Sequence, residues 1–308
     1  MTDMARGILF ALAAGLVYGL APPFTRLAFV NGVPAMETAF WRICALVLLA
    51  GVIAVIMGRR ISVPRPARLP LLLMIVSTAV ISAGYLGAVQ FIPVPLTVII
   101  FYTFPILILL TAPLIEGHRL AISQLLIGFV AFAGLLIAIG PGGGGADWRG
   151  IGLAGIAAAG AVMQTFVARP LTSQMNMLHL GLLTHLAVLP IIAAVIVLAG
   201  GEFRTLLDPS AIALTGAAAL SVVAMSYCAG FSFQMLALRS APASVVAPYF
   251  NIEPLTSVAV AALILAEPPT AREMAGGALV LAALIAAGLA RTPRPGQNLP
   301  PTRQQISE

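Results

Sequence analysis

Charged residues are scarce in this sequence, and lysine is absent from it. Only 8% of the 308 residues are charged and 60% are hydrophobic, which gives a mean hydropathy of +1.06. Soluble domains carry about a quarter charged residues, so a chain this poor in charge could not cover a water-facing surface. The composition excludes an ordinary soluble domain and indicates that the main solvent of the protein is lipid.

Reactive and metal-binding side chains are also few. Cys44 and Cys228 lie in apolar runs without metal-ligand spacing, as small packing residues do. His179 and His185 lie on different helix faces and have no carboxylate cluster or HExxH motif beside them. The glycine run 142–145 lacks a following Lys-Ser/Thr, so it is a linker and not a phosphate loop. We therefore predict no cofactor, no metal site and no enzyme or ATP-driven pump.

The sequence does contain apolar runs of membrane-spanning length. A spanning helix needs about 20 mainly apolar residues. We predict ten spans, at 8–29, 36–57, 70–91, 95–115, 120–140, 149–168, 178–199, 211–236, 243–265 and 271–290. Two prolines in the segment 91–95 favour a turn between the third and fourth spans. The first run is too long for a signal peptide, so we interpret it as a retained helix.

The arginine positions orient these spans, because cytoplasmic loops are enriched in basic residues. With ten spans both termini lie on one side, and cytoplasmic termini place eleven of the 16 basic residues in inside segments. These are Arg6, Arg59, Arg60, Arg65, Arg68, Arg119, Arg169, Arg239, Arg291, Arg294 and Arg303. Outside loops hold only Arg149, Arg204 and Arg272. We expect a multi-pass protein of the cell inner membrane with both termini cytoplasmic, and no nucleic-acid binding.

The two parts of the chain share a layout. A shift of 149 positions aligns Pro105 with Pro254 and Gly128 with Gly277. We therefore predict an all-α integral membrane protein with five-helix repeats over 1–140 and 149–290, followed by a disordered cytoplasmic tail over 291–308. An odd number of helices per repeat makes the repeats inverted, an architecture that many secondary transporters share. Gene duplication without transport is the alternative.

The ends of the two proline-containing helices carry a motif. In the second repeat, the helix around Pro254 runs to Leu-Ala-Glu at 265–267, and a Gly/Ala-rich helix follows. In the first repeat, the helix around Pro105 runs to Gly-His-Arg-Leu at 117–120. The second span opens with Trp41 and Arg42.

This pattern resembles the EamA family of the drug/metabolite transporter superfamily. In that family each half has a helix with an early Pro, a Leu-Gly-Glu-Arg-Leu ending and a Gly-rich closing helix. His118 stands where the family often has Glu, and Ala266 where it often has Gly. The resemblance covers about residues 7–290. It implies transport of amino acids, nucleoside-like compounds, vitamins or drugs across the inner membrane, often outward.

Polar residues inside apolar spans are candidates for a substrate site, because charge in hydrocarbon is costly. Glu253 lies near the middle of the ninth span with Tyr249 and Asn251, and Pro254 frees a backbone carbonyl there. This polar break indicates contact with a substrate or proton, or else a carboxylate that ties two helices together. Arg42 could pair with Glu253, bind an anionic group or extend toward the interface.

Two tyrosines complete the predicted site. Tyr18 follows Gly15 in the first span, where Gly15 and Gly19 form a GxxxG face for close helix approach. Tyr102 is nearly equivalent to Tyr249 in the repeat. We interpret other polar residues of the spans mainly as interhelix hydrogen bonds; these are Tyr85, Gln90, Gln164, Tyr227 and Gln234.

The sequence thus predicts a secondary transporter that moves a small organic metabolite by alternating access. The predicted substrate-binding residues are Tyr18, Arg42, Tyr102, Tyr249, Asn251 and Glu253. We expect the partners to be a small-molecule substrate, with or without coupled protons, and the bilayer, and the protein to be a monomer or a homodimer. The alternative is a non-transporting membrane scaffold or assembly protein, which predicts a dry interior whose polar groups all pair.

Overall fold

The computed structural model describes residues 2–58, 61–92, 94–117, 121–140, 147–266 and 268–289, and its regular elements are helices. The first part of the chain forms α1 (Asp3–Tyr18), α2 (Ala21–Val30), α3 (Ala35–Ile56), α4 (Arg68–Ala88), α5 (Val94–Phe101), α6 (Phe104–Glu116) and α7 (Ile122–Ile139). The second part forms α8 (Trp148–Gln174), α9 (Met177–Leu198), α10 (Arg204–Leu207), α11 (Leu214–Ser240), α12 (Ala243–Val246), α13 (Ile252–Ile264) and α14 (Ala271–Leu289).

Eight stretches are long and apolar enough to cross a membrane. They are Asp3–Val30, Met36–Ile56, Arg65–Ala88, Leu96–Glu116, Trp148–Gln174, Met177–Leu198, Leu214–Ser240 and Ala243–Ile264. Each coincides with one predicted span. The two remaining predicted spans correspond to α14 and to α7, whose apolar stretch Ile122–Ala138 is shorter. The count of ten therefore stays a prediction, and the predicted tail 291–308 lies outside the described residues.

Three of these stretches are broken near their middles. Gly19 and Leu20 separate α1 from α2, Tyr102 and Thr103 separate α5 from α6, and 3-10 turns over Ala247–Asn251 separate α12 from α13. Proline stands in the first turn after each of the first two breaks and inside the third. It accounts for the breaks because it lacks an amide hydrogen and clashes with a preceding helical turn. Irregular backbone at membrane depth is tolerated where protein or a cavity surrounds it.

The helices of the two parts pack in matching pairs. α1 packs on α11 as α8 packs on α4, and α13 packs on α1 as α5 packs on α8. The pairs α3–α9 and α7–α14 join equivalent helices. Exchanging the two parts therefore leaves these pairings unchanged, which is the pattern that a pseudo-two-fold axis between two similar units produces.

Glycine permits close approach at two of these interfaces. A Cβ on Gly134 of α7 would lie 2.7 Å from the carbonyl oxygen of Gly276 on α14. A Cβ on Gly15 would lie 2.3 Å from a side-chain atom of Ile252 on α13. A Cβ on Gly19 would lie 2.5 Å from a side-chain atom of Thr256 on the same helix. The predicted GxxxG face of the first span is therefore confirmed, and it brings α1 against the helix that carries Glu253.

Candidate functional site

Glu253 and Tyr102 form a direct contact between two broken spans. Glu253 lies in the first turn of α13, near the middle of the stretch Ala243–Ile264. The Tyr102 hydroxyl, at the break between α5 and α6, lies near the Glu253 carboxylate and interacts with it. Tyr102 is buried, whereas Glu253 is only half-buried. The contact therefore fixes the carboxylate and leaves part of it accessible.

Arg42 forms a positive pole that is held by an aromatic ring. Its Cζ lies 4.8 Å from the centroid of the Tyr227 ring on α11, which is a cation–π distance. The Nε atom is buried and has no hydrogen-bond partner. Within the described residues no carboxylate oxygen lies within 4.0 Å of the guanidinium, although Arg42 and Glu253 interact electrostatically. The guanidinium thus keeps hydrogen-bond donors that the fold does not use.

His185 of α9 holds Tyr227 in place. Its Nδ1 lies 2.8 Å from the Gly181 carbonyl oxygen, and its Nε2 lies 2.9 Å from the Tyr227 hydroxyl. Because a carbonyl oxygen only accepts, Nδ1 carries the proton, and Nε2 of the neutral ring accepts from the Tyr227 hydroxyl. The ring is fully buried and lies edge-on to Phe231, at 4.7 Å between centroids. Tyr227 therefore has one preferred hydroxyl direction.

The His185 imidazole is not free to bind a metal, because both of its ring nitrogens are engaged. In the part of the chain that the structure describes, no group of three or more His, Cys, Asp or Glu residues is arranged to hold a metal ion.

Tyr18 and Tyr85 lie near both poles. The Tyr18 ring is 6.1 Å from that of Tyr227, and its hydroxyl donates to Gln234 Oε1 at 3.1 Å. Gly230 makes room for this ring, since a Cβ there would lie 2.6 Å from Tyr18 Cδ1. Both tyrosines interact electrostatically with Arg42 and with Glu253. Two half-buried phenols thus lie near both opposite charges.

The structure brings together four of the six predicted site residues, Tyr18, Arg42, Tyr102 and Glu253. Tyr249 is 4% exposed and packs in the apolar core. Asn251 is 2% exposed; its Nδ2 donates to the Pro248 carbonyl at 3.1 Å, and its Oδ1 has no partner. The roles of Tyr249 and Asn251 as substrate contacts stay predictions.

Tyr227, Gln234 and His185 belong to the surroundings of the site, although the sequence predicts no site role for His185 and mainly interhelix hydrogen bonds for the other two. Tyr227 and Gln234 do form interhelix hydrogen bonds, as predicted, but their partners are His185 and the site residue Tyr18. Gln164 forms a purely structural bond of this kind, donating to Thr78 Oγ1 at 2.8 Å. The signal that distinguishes them is proximity to a charged residue of another span, which only the packing reveals. His118 and Glu267 lie outside the described residues.

A second buried carboxylate, Glu37, has a structural role. It is fully buried at the start of α3 and accepts hydrogen bonds from the backbone amides of Arg204 and Thr205 and from Trp41 Nε1. These donors belong mostly to the first turn of α10, whose amides need acceptors. Glu37 therefore fastens the loop after α9 and is not part of the charged site.

Membrane-length helices that gather charged and phenolic groups at mid-span define a multi-pass membrane protein with an internal polar site. The model of the EamA-like transporter family matches residues 5–140 and again residues 148–289. The chain therefore belongs to the EamA-like transporter family, within the drug/metabolite transporter superfamily, and contains two EamA repeats. The resemblance inferred from the sequence is confirmed.

Solved structures share this fold. A chain described as "Crystal structure of protein" superposes with a TM-score of 0.75 over 92% of this protein and 97% of that chain. The two sequences are 15% identical, so the likeness concerns the fold alone. It is one of 28 chains that match. No curated protein sequence matches this chain.

Proposed function

We propose that this membrane transporter is a secondary carrier that moves a small organic metabolite, such as an amino acid, a vitamin or a drug, by alternating access. The observation that supports this most is the pair of charges at mid-span. Arg42 comes from the first repeat and Glu253 from the second. The two side chains attract each other electrostatically but do not form an ion pair. A site shared between repeats is what alternating access requires.

The unused donors of Arg42 favour ligand binding over a structural role. Removing a charge from water is costly, and a buried ion pair offsets this cost only with close contact and further hydrogen bonds. Arg42 has neither, since its Nε is unpartnered and its guanidinium rests on a ring face. A substrate with an anionic group for Arg42 and a cationic or hydrogen-bond-donating group for Glu253 would supply both. The tyrosines near both poles suit an apolar or aromatic body.

The matching helix pairs support the proposed architecture of ten spans in two inverted repeats. The pairs α1–α11 and α8–α4 exchange under the pseudo-two-fold, and α3–α9 and α7–α14 lie on its axis. Two mixed bundles result, with α1, α11 and α13 in one and α4, α5 and α8 in the other. We propose that these bundles rock against each other in the inner membrane, with both termini cytoplasmic.

A membrane scaffold is the second candidate, but it requires an interior whose polar groups all pair. The buried and unpartnered Arg42 Nε and Asn251 Oδ1 argue against it. We also propose that the protein is a carrier and not an enzyme. If protons drive transport, Glu253 is the residue to carry them, because it is the carboxylate of the site.

The experiment that tests the proposal is uptake by purified protein in liposomes. A mixture of amino acids, nucleosides and vitamins is presented with and without an imposed pH gradient, and the vesicle contents are measured by mass spectrometry. We expect at least one metabolite to accumulate above empty liposomes, and Glu253→Gln to reduce that accumulation. Glu202→Gln, at an exposed carboxylate, is the matched control. Contents equal to those of empty liposomes across the mixture would count against transport of these classes.

A further inference from the structure

We infer that Glu116 closes one end of the site by holding α12 in place, and that the substrate enters from the opposite end. This inference rests on the proposed transport function but concerns a different part of the molecule. Glu116 is the last residue of α6, in the first repeat. The Ala243 amide, at the start of α12, donates to Glu116 Oε1 at 2.7 Å, and the Ser244 hydroxyl donates to Oε2.

The short helix α12 fills this end of the molecule. It contacts α1, α11, α6 and α8, so it touches both of the mixed bundles. Ala243, Ser244 and Val246 are buried there. Because the carboxylate of Glu116 satisfies the amide of Ala243, which has no acceptor inside α12, it fixes the position of this buried segment.

The two broken spans stay together from this end to the level of the site. α6 contacts the 3-10 turns that follow α12, and the Phe104 and Phe250 rings lie 6.5 Å apart. Tyr102 and Glu253, which interact with each other, lie where this contact ends on the side of the site. The Phe104 and Phe250 rings thus lie between Glu253 and the end of the spans where Glu116 binds α12.

Beyond the site the same two spans separate. α5 packs against α8, α4 and α7, whereas α13 packs against α1, α2 and α14. Each therefore continues among different helices, and we infer that the route to Glu253 and Tyr85, which are both half-buried, runs between them. Under the predicted topology, Glu116 lies on the cytoplasmic side and the path opens to the outside.

Opening toward the Glu116 end then requires release of α12. The bonds from Ala243 and Ser244 to the carboxylate join residues of different repeats, so rocking of the bundles would break them together. A variant that lacks the carboxylate should favour the state that is open at this end, by about fivefold in total.

The test uses thiol labelling, which needs no substrate, so its outcome is independent of whether uptake is found. The full chain carries Cys44→Ser and Cys228→Ala and one reporter, either Tyr85→Cys in the site wall or Ala247→Cys between α12 and the site. A membrane-impermeant maleimide is applied to sealed vesicles of either orientation. Arg65→Cys, at an exposed position before α4, identifies the side on which Glu116 lies.

We expect Tyr85→Cys to react faster from the side opposite Glu116, and Ala247→Cys to be protected from both sides. Glu116→Ala should raise the rate from the Glu116 side about fivefold at both reporters, and Ser244→Ala should raise it less, since it removes one bond. Glu202→Ala, at an exposed carboxylate, should change neither rate. Faster labelling of Tyr85→Cys from the Glu116 side would overturn the inference. Unchanged rates in Ser244→Ala, and in Glu116→Ala where that variant folds, would do the same.

Discussion

The two charged poles of the site differ in how they are held. Glu253 interacts directly with Tyr102 and lies in the first turn of a helix, where the helix dipole favours a carboxylate. Arg42 rests on the Tyr227 ring, whose hydroxyl is fixed in turn by His185. The negative pole is therefore oriented by its own contact and the positive pole through two intermediates. A substitution at Glu253 should therefore reduce uptake strongly, whereas substitutions at Arg42 and the residues behind it should have smaller effects.

Replacing Glu253 should have the largest effect. Glu253→Gln keeps an acceptor for the Tyr102 hydroxyl but removes the charge, so we expect initial uptake to fall about 10- to 100-fold, the range for hydrogen bonds to charged groups. Uptake rates in liposomes at several pH values measure this. Rates that keep their size and their pH dependence would remove Glu253 from both substrate binding and proton coupling.

Replacing Arg42 should affect binding more than turnover. Arg42→Lys keeps the charge but not the planar set of donors, so KM should rise about tenfold with a smaller change in the maximal rate. Arg42→Gln should be worse. The control is Arg65→Lys, at an exposed position. A normal KM in Arg42→Lys would mean that the pole acts only as a point charge.

The chain of contacts behind Arg42 should act as one unit. Tyr227→Phe keeps the ring under the guanidinium and loses the bond to His185, so KM should rise about three- to tenfold. His185→Phe should do the same, and the double variant should cost no more than either single one. His185→Gln, which offers both a donor and an acceptor, should restore part of the loss. Additive effects would show that His185 acts elsewhere.

The two tyrosines at the helix breaks should differ although the repeat makes them nearly equivalent. Tyr102→Phe removes the hydroxyl that interacts with Glu253, so we expect about a fivefold loss of uptake. Tyr249 lies in the same apolar core as Tyr102 but does not interact with Glu253, so Tyr249→Phe should change uptake by less than about twofold. A larger loss in Tyr249→Phe would instead support its predicted contact with substrate.

Hydropathy and proline positions made most of the fold predictable. Eight predicted spans coincide with helical stretches of membrane length, because the bilayer imposes length and composition on each helix separately. The break at Tyr102 was also visible in the sequence, since Pro105 cannot continue the preceding helix. Such features depend on neighbours along the chain.

The site was predictable only in part, because some of its contacts depend on packing. Glu253 stood out as a charge in an apolar span, and Arg42 was recognised for the same reason. His185 and Tyr227 lie in the long helices α9 and α11 without a local break, and nothing near either residue in sequence indicates the other. The contacts of α3 and α9 with each other and of α3 with α11 bring them to Arg42.

The buried Glu37 has a consequence for the order in which the protein can be made. Its amide partners at Arg204 and Thr205 lie 167 and 168 positions later in the chain, and those of Glu116 begin 127 positions later. When the first repeat has left the ribosome, two of its carboxylates still await donors that have not been synthesised. The first repeat is thus an unfinished intermediate during biogenesis, and the second repeat completes it.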